Sequence, residues 1–284
     1  MEKEFHGKYK EVTIMVVQHN MQAMNSNRML GLTQSTLSKS TEKLSSGYRV
    51  NRAADDAAGL AISEKMRRQI RGLTQASRNA QDGISMVQTA EGALNEVHDM
   101  LQRMNELAVQ SANGTLVSSQ DRTYVNLEVS ALIHEIDDVA NNTKFNGISL
   151  LNVSTTIKLQ VGTEASHKLT ISLEKMTAKG LKVSGVTVST QAGASKAIST
   201  IKAAINQLNK LRSKLGAYQN RLEHKIANLD NVVENTTAAE SRIRDTDMAS
   251  EMVKYSNANI LQQAGQSMLA QSNQSNQGVL SLLG

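Results

Sequence analysis

Cysteine, proline and tryptophan are absent from the 284 residues, although average proline usage of about 5% would supply roughly 14. Without cysteine there is no disulfide framework, thiolate metal site, thiol nucleophile or redox switch. Only seven residues are aromatic while 39% are hydrophobic, so the core must be built from Leu, Ile, Val, Met and Ala, which suits helix on helix. The formal charge of +5 comes from 31 Lys and Arg interspersed with 26 Asp and Glu. With no aromatic partners for base stacking, this balance does not describe a nucleic-acid binder.

Long apolar runs are missing too. Near the start the longest is Ile14-Met15-Val16-Val17, short of the 7 to 15 residues of a secretory signal core. Neither a cleaved signal peptide nor membrane insertion is expected. Lys10-Glu11-Val12 back-translates to a ribosome-binding sequence two codons before Met15, so residues 1–14 are read as a mis-annotated leader.

What is present is periodic. Leu73, Ala80, Val87, Leu94, Leu101 and Ala108 fall seven apart, with Ala76, Gly83, Ala90, Val97, Met104 and Ser111 as a companion column. This is a long amphipathic helix with a narrow seam. Ile201, Leu208, Leu215, Leu222, Leu229, Thr236 and Ile243 make a second register, and Val125, Val129, Leu132, Ile136 and Val139 mark a shorter helix. The expected fold is mainly α, a long antiparallel helical bundle or coiled coil. Ile157, Leu159 and Val161, then Leu169, Ile171 and Leu173, alternate with polar residues as a β-hairpin should, and Val183, Val186 and Val188 suggest another extended piece. In the segment Leu44 to Ile62 the helical pattern breaks at Gly47 and restarts after Asp55-Asp56, a hinge between a terminal helix and the bundle.

Both ends of the chain exclude charge. Tyr255 to Gly284 contains no Asp, Glu, Lys or Arg, and 15 of those 30 residues are Ser, Asn or Gln; Met15 to Ser38 has only Arg28. Ser/Asn/Gln-rich segments often stay unfolded, but apolar residues recur at helical spacing in both: Val16, Ala23, Leu30, Leu37 and Leu44, and Met248, Met252, Ile260, Ala264 and Met268. Desolvating a charge costs far more than desolvating an amide that keeps its hydrogen bonds. Helices walled in by copies of the same chain should therefore be apolar on one side and neutral on the other. The antiparallel bundle brings the two ends together as paired terminal helices, and these ten residues are the expected self-assembly surface.

Catalytic constellations are not apparent. In His134-Glu135-Ile136-Asp137-Asp138 the zinc-protease motif would need His at position 138, where Asp stands. There is no phosphate-binding glycine loop, nucleophile elbow or dinucleotide fingerprint. No catalytic, metal or cofactor site is expected, and a secreted helical enzyme such as a metalloprotease is disfavoured.

Several stretches closely resemble bacterial flagellin. They are Leu44 to Ile62, Gly72 to Ile84, Glu91 to Glu96, Glu106 to Thr115, Phe145-Asn146-Gly147, Leu215 to Leu222, Glu240 to Ala249 and Gln277 to Leu283. The chain is similar to a minimal member lacking the large variable outer domains. The resemblance implies an extracellular structural subunit of the motility filament, exported through the flagellar secretion channel. Residues 15–57 and 244–284 would be the two halves of an inner-tube helical domain, and 58–243 an outer-tube bundle with a β-hairpin region at 151–190. Its implied partners are further flagellin subunits, a flagellar secretion chaperone, hook-associated junction and cap proteins, and the host flagellin-sensing Toll-like receptor. A hook-filament junction protein is the alternative of like architecture. For the receptor, the family pattern falls on Leu101, Gln102, Arg103, Leu107, Gln110 and Glu128. Arg103, Leu107 and Gln110 sit at i, i+4 and i+7 and are expected to share one helix face.

Overall fold

The computed structural model describes residues 19–114 and 119–283. Along them run α1 (Met21–Ser46), α2 (Ala57–Ala112), α3 (Ser119–Asn142), the short strands β1 (Lys144–Phe145) and β2 (Ile148–Ser149), β3 (Thr155–Gln160), β4 (Lys168–Leu173), α4 (Gln191–Arg244) and α5 (Met248–Leu283). The fold is mainly α, with two small antiparallel hairpins. Two compact units result: one is Lys65–Ala238, and the other joins the described residues up to Glu64 with those from Ala239 onward.

In the unit Lys65–Ala238, α2 and α4 run antiparallel. Ser77 Oγ donates to Asp230 Oδ1 at 3.2 Å, Arg212 faces Glu91 at 3.9 Å, and Gln191 Nε2 donates to the Ala112 carbonyl at 3.1 Å. Both columns on α2 are buried throughout, and on α4 Ile201, Leu208, Leu211, Leu215, Leu222 and Leu229 face them. Each fully buried Leu or Ile contributes about 1.5–3 kcal/mol relative to exposure, so this seam is the main source of the unit's stability. Along α2 lies α3, oppositely directed, held where Arg103 meets Glu128 at 2.8 Å and Arg122 Nε donates to the Ser111 carbonyl at 3.2 Å.

The expected hairpin forms as β3 and β4, pairing Ile157 with Ile171 and Leu159 with Leu169. On β4, Leu169, Ile171 and Leu173 are buried while the residues between them are exposed. Gly83 lets the hairpin lie close on α2, because a Cβ there would collide with Leu159 Cδ1. Asn79 Nδ2 fixes the contact by donating to the Gln160 carbonyl at 3.0 Å.

Two local features differ from the sequence pattern. Val183, Val186 and Val188 do not form a strand; the backbone turns there, with Lys182 at φ 60°. Val183 and Val188 are nonetheless buried; the Val188 N–H donates to Asn126 Oδ1 at 2.9 Å and the Val183 N–H to the Ala178 carbonyl at 2.8 Å, so a side chain and a local turn replace a partner strand. The β1–β2 hairpin was not anticipated. Asn146 (φ 47°) and Gly147 (φ 79°) both adopt the left-handed conformation that a two-residue hairpin loop demands.

In the other unit, α1 stops at Gly47, whose φ of 75° lets its N–H reach the Lys43 carbonyl. Asp56 starts α2 by accepting the Gly59 N–H at 2.8 Å. Between them, the backbone N–H groups of Arg52 and Asn51 donate to Asp55 Oδ2, holding that carboxyl below its ordinary range. The 47–56 loop is pinned to the α4–α5 joint: the Thr246 N–H donates to the Gly47 carbonyl, and the Arg244 guanidinium lies 4.6 Å from the Tyr48 ring centre. Arg244 also pairs with Glu64 at 2.7 Å, and Ser63 Oγ donates to Glu240 Oε1 at 3.0 Å. These ties place the first turns of α2 and the last of α4 in this unit, so the division falls inside both helices, after Glu64 and before Ala239.

Candidate functional site: the paired terminal helices

α1 and α5 lie side by side, antiparallel. Asn20 Nδ2 donates to the Ser272 carbonyl at 3.2 Å, a Cβ on Gly265 would meet Leu30 Cδ1, and Ser40 Oγ donates to Glu251 Oε1 at 2.7 Å. On α1 the covered stripe is Ala23, Ser26, Leu30, Thr33, Leu37, Ser40 and Leu44. Four of the expected assembly residues, Ala23, Leu30, Leu37 and Leu44, are therefore half-buried against the chain's own last helix. Val16 lies outside the described residues.

On α5 the covered stripe is Glu251, Tyr255, Ala258, Gln262, Gly265, Leu269 and Ser272, spaced by alternating fours and threes. This is a heptad seam that the sequence reading missed, because small and polar residues hold most of its positions. Met248, Met252, Ile260, Ala264 and Met268 point elsewhere: Met252 is 51%, Ile260 63% and Met268 56% exposed. Val253 and Leu261 are exposed beside them, as are Met21, Met24, Met29 and Leu32 on α1. The pair thus buries a narrow seam of mixed character and turns large apolar side chains outward.

Glu251 is a buried acid in that seam. The Ser40 hydroxyl, aided by Lys254 at 3.2 Å, outweighs the effect of burial and holds its carboxyl below the ordinary range. This buried carboxylate is sensitive to register, since sliding the helices would remove the Ser40 donor and leave it only Lys254 of its own helix.

The six residues carried over for receptor binding divide into two sets. Gln102, Arg103, Gln110 and Glu128 are exposed. Arg103 reaches Glu128 with both Nε (2.9 Å) and Nη2 (2.8 Å) and meets Glu106 at 3.2 Å; Glu128 above all holds its guanidinium even more firmly charged than usual. Leu101 and Leu107 belong to the core, Leu107 being only 2% exposed. The expected common face of Arg103, Leu107 and Gln110 is therefore corrected: α3 folds over α2 between the Arg103–Glu128 and Ser111–Arg122 contacts and covers Leu107. Val109, Tyr124 and Leu127 are large exposed apolar side chains on the same two helices, unremarked in the sequence.

Among the described residues no helix is long and apolar enough to cross a membrane, and no three His, Asp or Glu side chains gather as a metal site. What the two ends of the chain define is a class of subunit whose α1 and α5 pair side by side with large apolar side chains and few charges on their outer faces. Residues 17–156 match the bacterial flagellin N-terminal helical region and residues 198–283 the bacterial flagellin C-terminal helical region. A flagellin of Halalkalibacterium halodurans is 52% identical over 272 residues, covering 95% of this chain and all of that protein. The flagellar filament 33 kDa core protein of Treponema phagedenis is 48% identical over 286 residues, and Bacillus subtilis flagellin 46% over 303, each again covering 95% of this chain and the whole relative. The chain belongs to the flagellin family, whose members are structural proteins and not enzymes.

Proposed function

We propose that this protein is the subunit of a bacterial flagellar filament, polymerising outside the cell through the outward faces of α1 and α5. The observation that carries the reading is the exposure of Met252, Ile260, Leu261 and Met268 on a helix that has no charged side chain from Tyr255 onward. Several large apolar side chains left exposed on one helix favour burial against a partner, and a neutral polar remainder removes the cost of desolvating ions. The relatives' names as flagellins and filament core proteins support the same assignment. On this reading 15–57 and 244–284 form the inner tube and 58–243 the outer tube.

The test is sedimentation of the full chain beside one lacking residues 255–284. The full chain should pellet as long tubes under the electron microscope, while the shortened chain stays in solution with the α2–α4 bundle still helical by circular dichroism. Polymer formed equally well by the shortened chain would refute the proposal, and short rings in place of tubes would point to a junction protein.

The remaining partners follow from the same reading: a secretion chaperone holding the C-terminal segment, hook-associated junction and cap proteins, and a host Toll-like receptor. Export through the flagellar channel without a cleaved signal suits a chain with no cysteine to cross-link and no proline to isomerise slowly after delivery. For the receptor, the accessible anchor is Arg103 with Glu128, Gln102 and Gln110 around it, and Leu101 and Leu107 act from beneath by holding α2 and α3 in place.

A further inference from the structure

Between the loop that joins β3 to β4 and the outer face of α4 lies an open cavity of about 460 Å³. Five of its lining side chains carry nitrogen cations or imidazoles: His167 and Lys168 from the hairpin, and Arg221, His224 and Lys225 from α4. The three from α4 fall at i, i+3 and i+4, so they project on one side of the helix. No carboxylate lines the cavity. Some cations elsewhere in this unit are matched, as Arg103 is by Glu128, Arg212 by Glu91 and Lys214 by Glu174. By contrast, among the described residues these five side chains have neither an ion pair nor a side-chain hydrogen bond. The nearby acids are engaged or turned away. Glu223 accepts a hydrogen bond from Gln219 at 2.9 Å, and Glu164 lines a separate cleft with Lys65 and Arg68.

The hairpin side is also shaped. Gly162 has no Cβ, and one placed there would stand 2.6 Å from His167 Nδ1, so the imidazole occupies the space that any other residue would fill. Three fixed positive charges line the cavity with no counter-charge among its lining residues, and a ligand that supplies several acceptor oxygens relieves their mutual repulsion.

We infer that this cavity binds a small multivalent oxyanion of the phosphate type. The Arg221 guanidinium offers a planar pair of donors for two oxygens, Lys168 and Lys225 balance the charge, and the imidazoles donate from either side. Bound there, the anion links the hairpin to α4. The site is remote in sequence from the terminal helices and independent of how they assemble.

The experiment uses the full chain, kept monomeric by dilution and carrying ¹³C-labelled histidine, titrated with sodium phosphate at fixed pH against sodium chloride of equal ionic strength. With phosphate the His167 and His224 ring signals should move along a saturating curve while those of His98 and His134 do not. Arg221→Gln should weaken binding about tenfold or more, and Lys202→Gln, an equal loss of charge elsewhere on α4, should leave it unchanged. Shifts that chloride reproduces, or equal weakening by Lys202→Gln, would overturn the inference in favour of diffuse attraction. So would His167 and His224 signals that ignore phosphate and respond only to polymerisation, which would mean that a neighbouring copy's carboxylate fills the cavity. If Arg221→Gln loses helical content, Lys225→Gln is judged by the same criterion.

Discussion

Ser40 and Glu251 meet side chain to side chain across the α1–α5 seam, 2.7 Å apart and both buried, although 211 positions separate them in the chain. The hydroxyl favours the ionised carboxylate, so protonation works against the pairing of the two helices. With its folded-state pKa depressed, Glu251 contributes stability that is fully present above its ordinary value of 4.5 and lost as pH falls through the lower folded value. Hydrogen-exchange protection of α1 and α5, corrected for intrinsic rates, should fall as pH drops below 4.5. In Glu251→Gln this step should flatten. Ser40→Ala, which leaves the buried acid without its hydroxyl, should cost about 1–3 kcal/mol at neutral pH.

Ile260 and Ala258 stand two residues apart on α5 with opposite surroundings, one outward and one in the seam. Ile260→Asp should leave the monomer's helicity and exchange protection unchanged yet abolish sedimentable polymer. Ala258→Asp should lower protection in α1 as well as α5, since it places a charge between them. Equal behaviour of the two would mean that the seam and the outer face are wrongly distinguished.

If the proposed receptor role holds, variants of Arg103 and Leu107 should separate contact from support. The Arg103 pairs are exposed and solvent-screened, so Arg103→Ala should leave denaturant unfolding little changed while weakening binding to the flagellin-sensing receptor in a surface-plasmon measurement. Leu107→Ala opens a void beneath α3 and should cost about 2–5 kcal/mol in denaturant unfolding. An unchanged dissociation constant for Arg103→Ala would remove this residue from the interface.

Gly83 tests the hairpin's seat on α2. Alanine there gains up to about 1 kcal/mol in helix propensity and displaces only the far end of Leu159, so thermal unfolding should change little. Gly83→Leu must push the hairpin away and should destabilise by about 1–3 kcal/mol.

The α2 and α4 registers were legible because their columns are apolar and stay buried from one heptad to the next, and the β3–β4 alternation was legible for the same reason. The α5 seam was not, since Gly265, Gln262 and Ser272 occupy inward positions while Ile260 and Met268, by far the more apolar, face out. Hydrophobicity marks burial in the finished assembly, and in a subunit that polymerises it does not say which burial occurs within one chain. Leu107 shows a second limit. Four residues turn a helix by about 400°, which leaves Leu107 roughly 40° from Arg103, enough to move it from the rim to beneath α3. At β1–β2 the Asn146-Gly147 pair carried the turn signal, but strands of two residues are too short to show alternation.

Asn20 and Ser272 touch across a separation of 252 positions, so α1 has no mate until α5 has been synthesised. Lys65–Ala238 contains all that its own core requires and need not wait. Order of synthesis therefore leaves α1 unpaired until α5 has been made, so the seam between them must close after translation has passed through the whole Lys65–Ala238 unit.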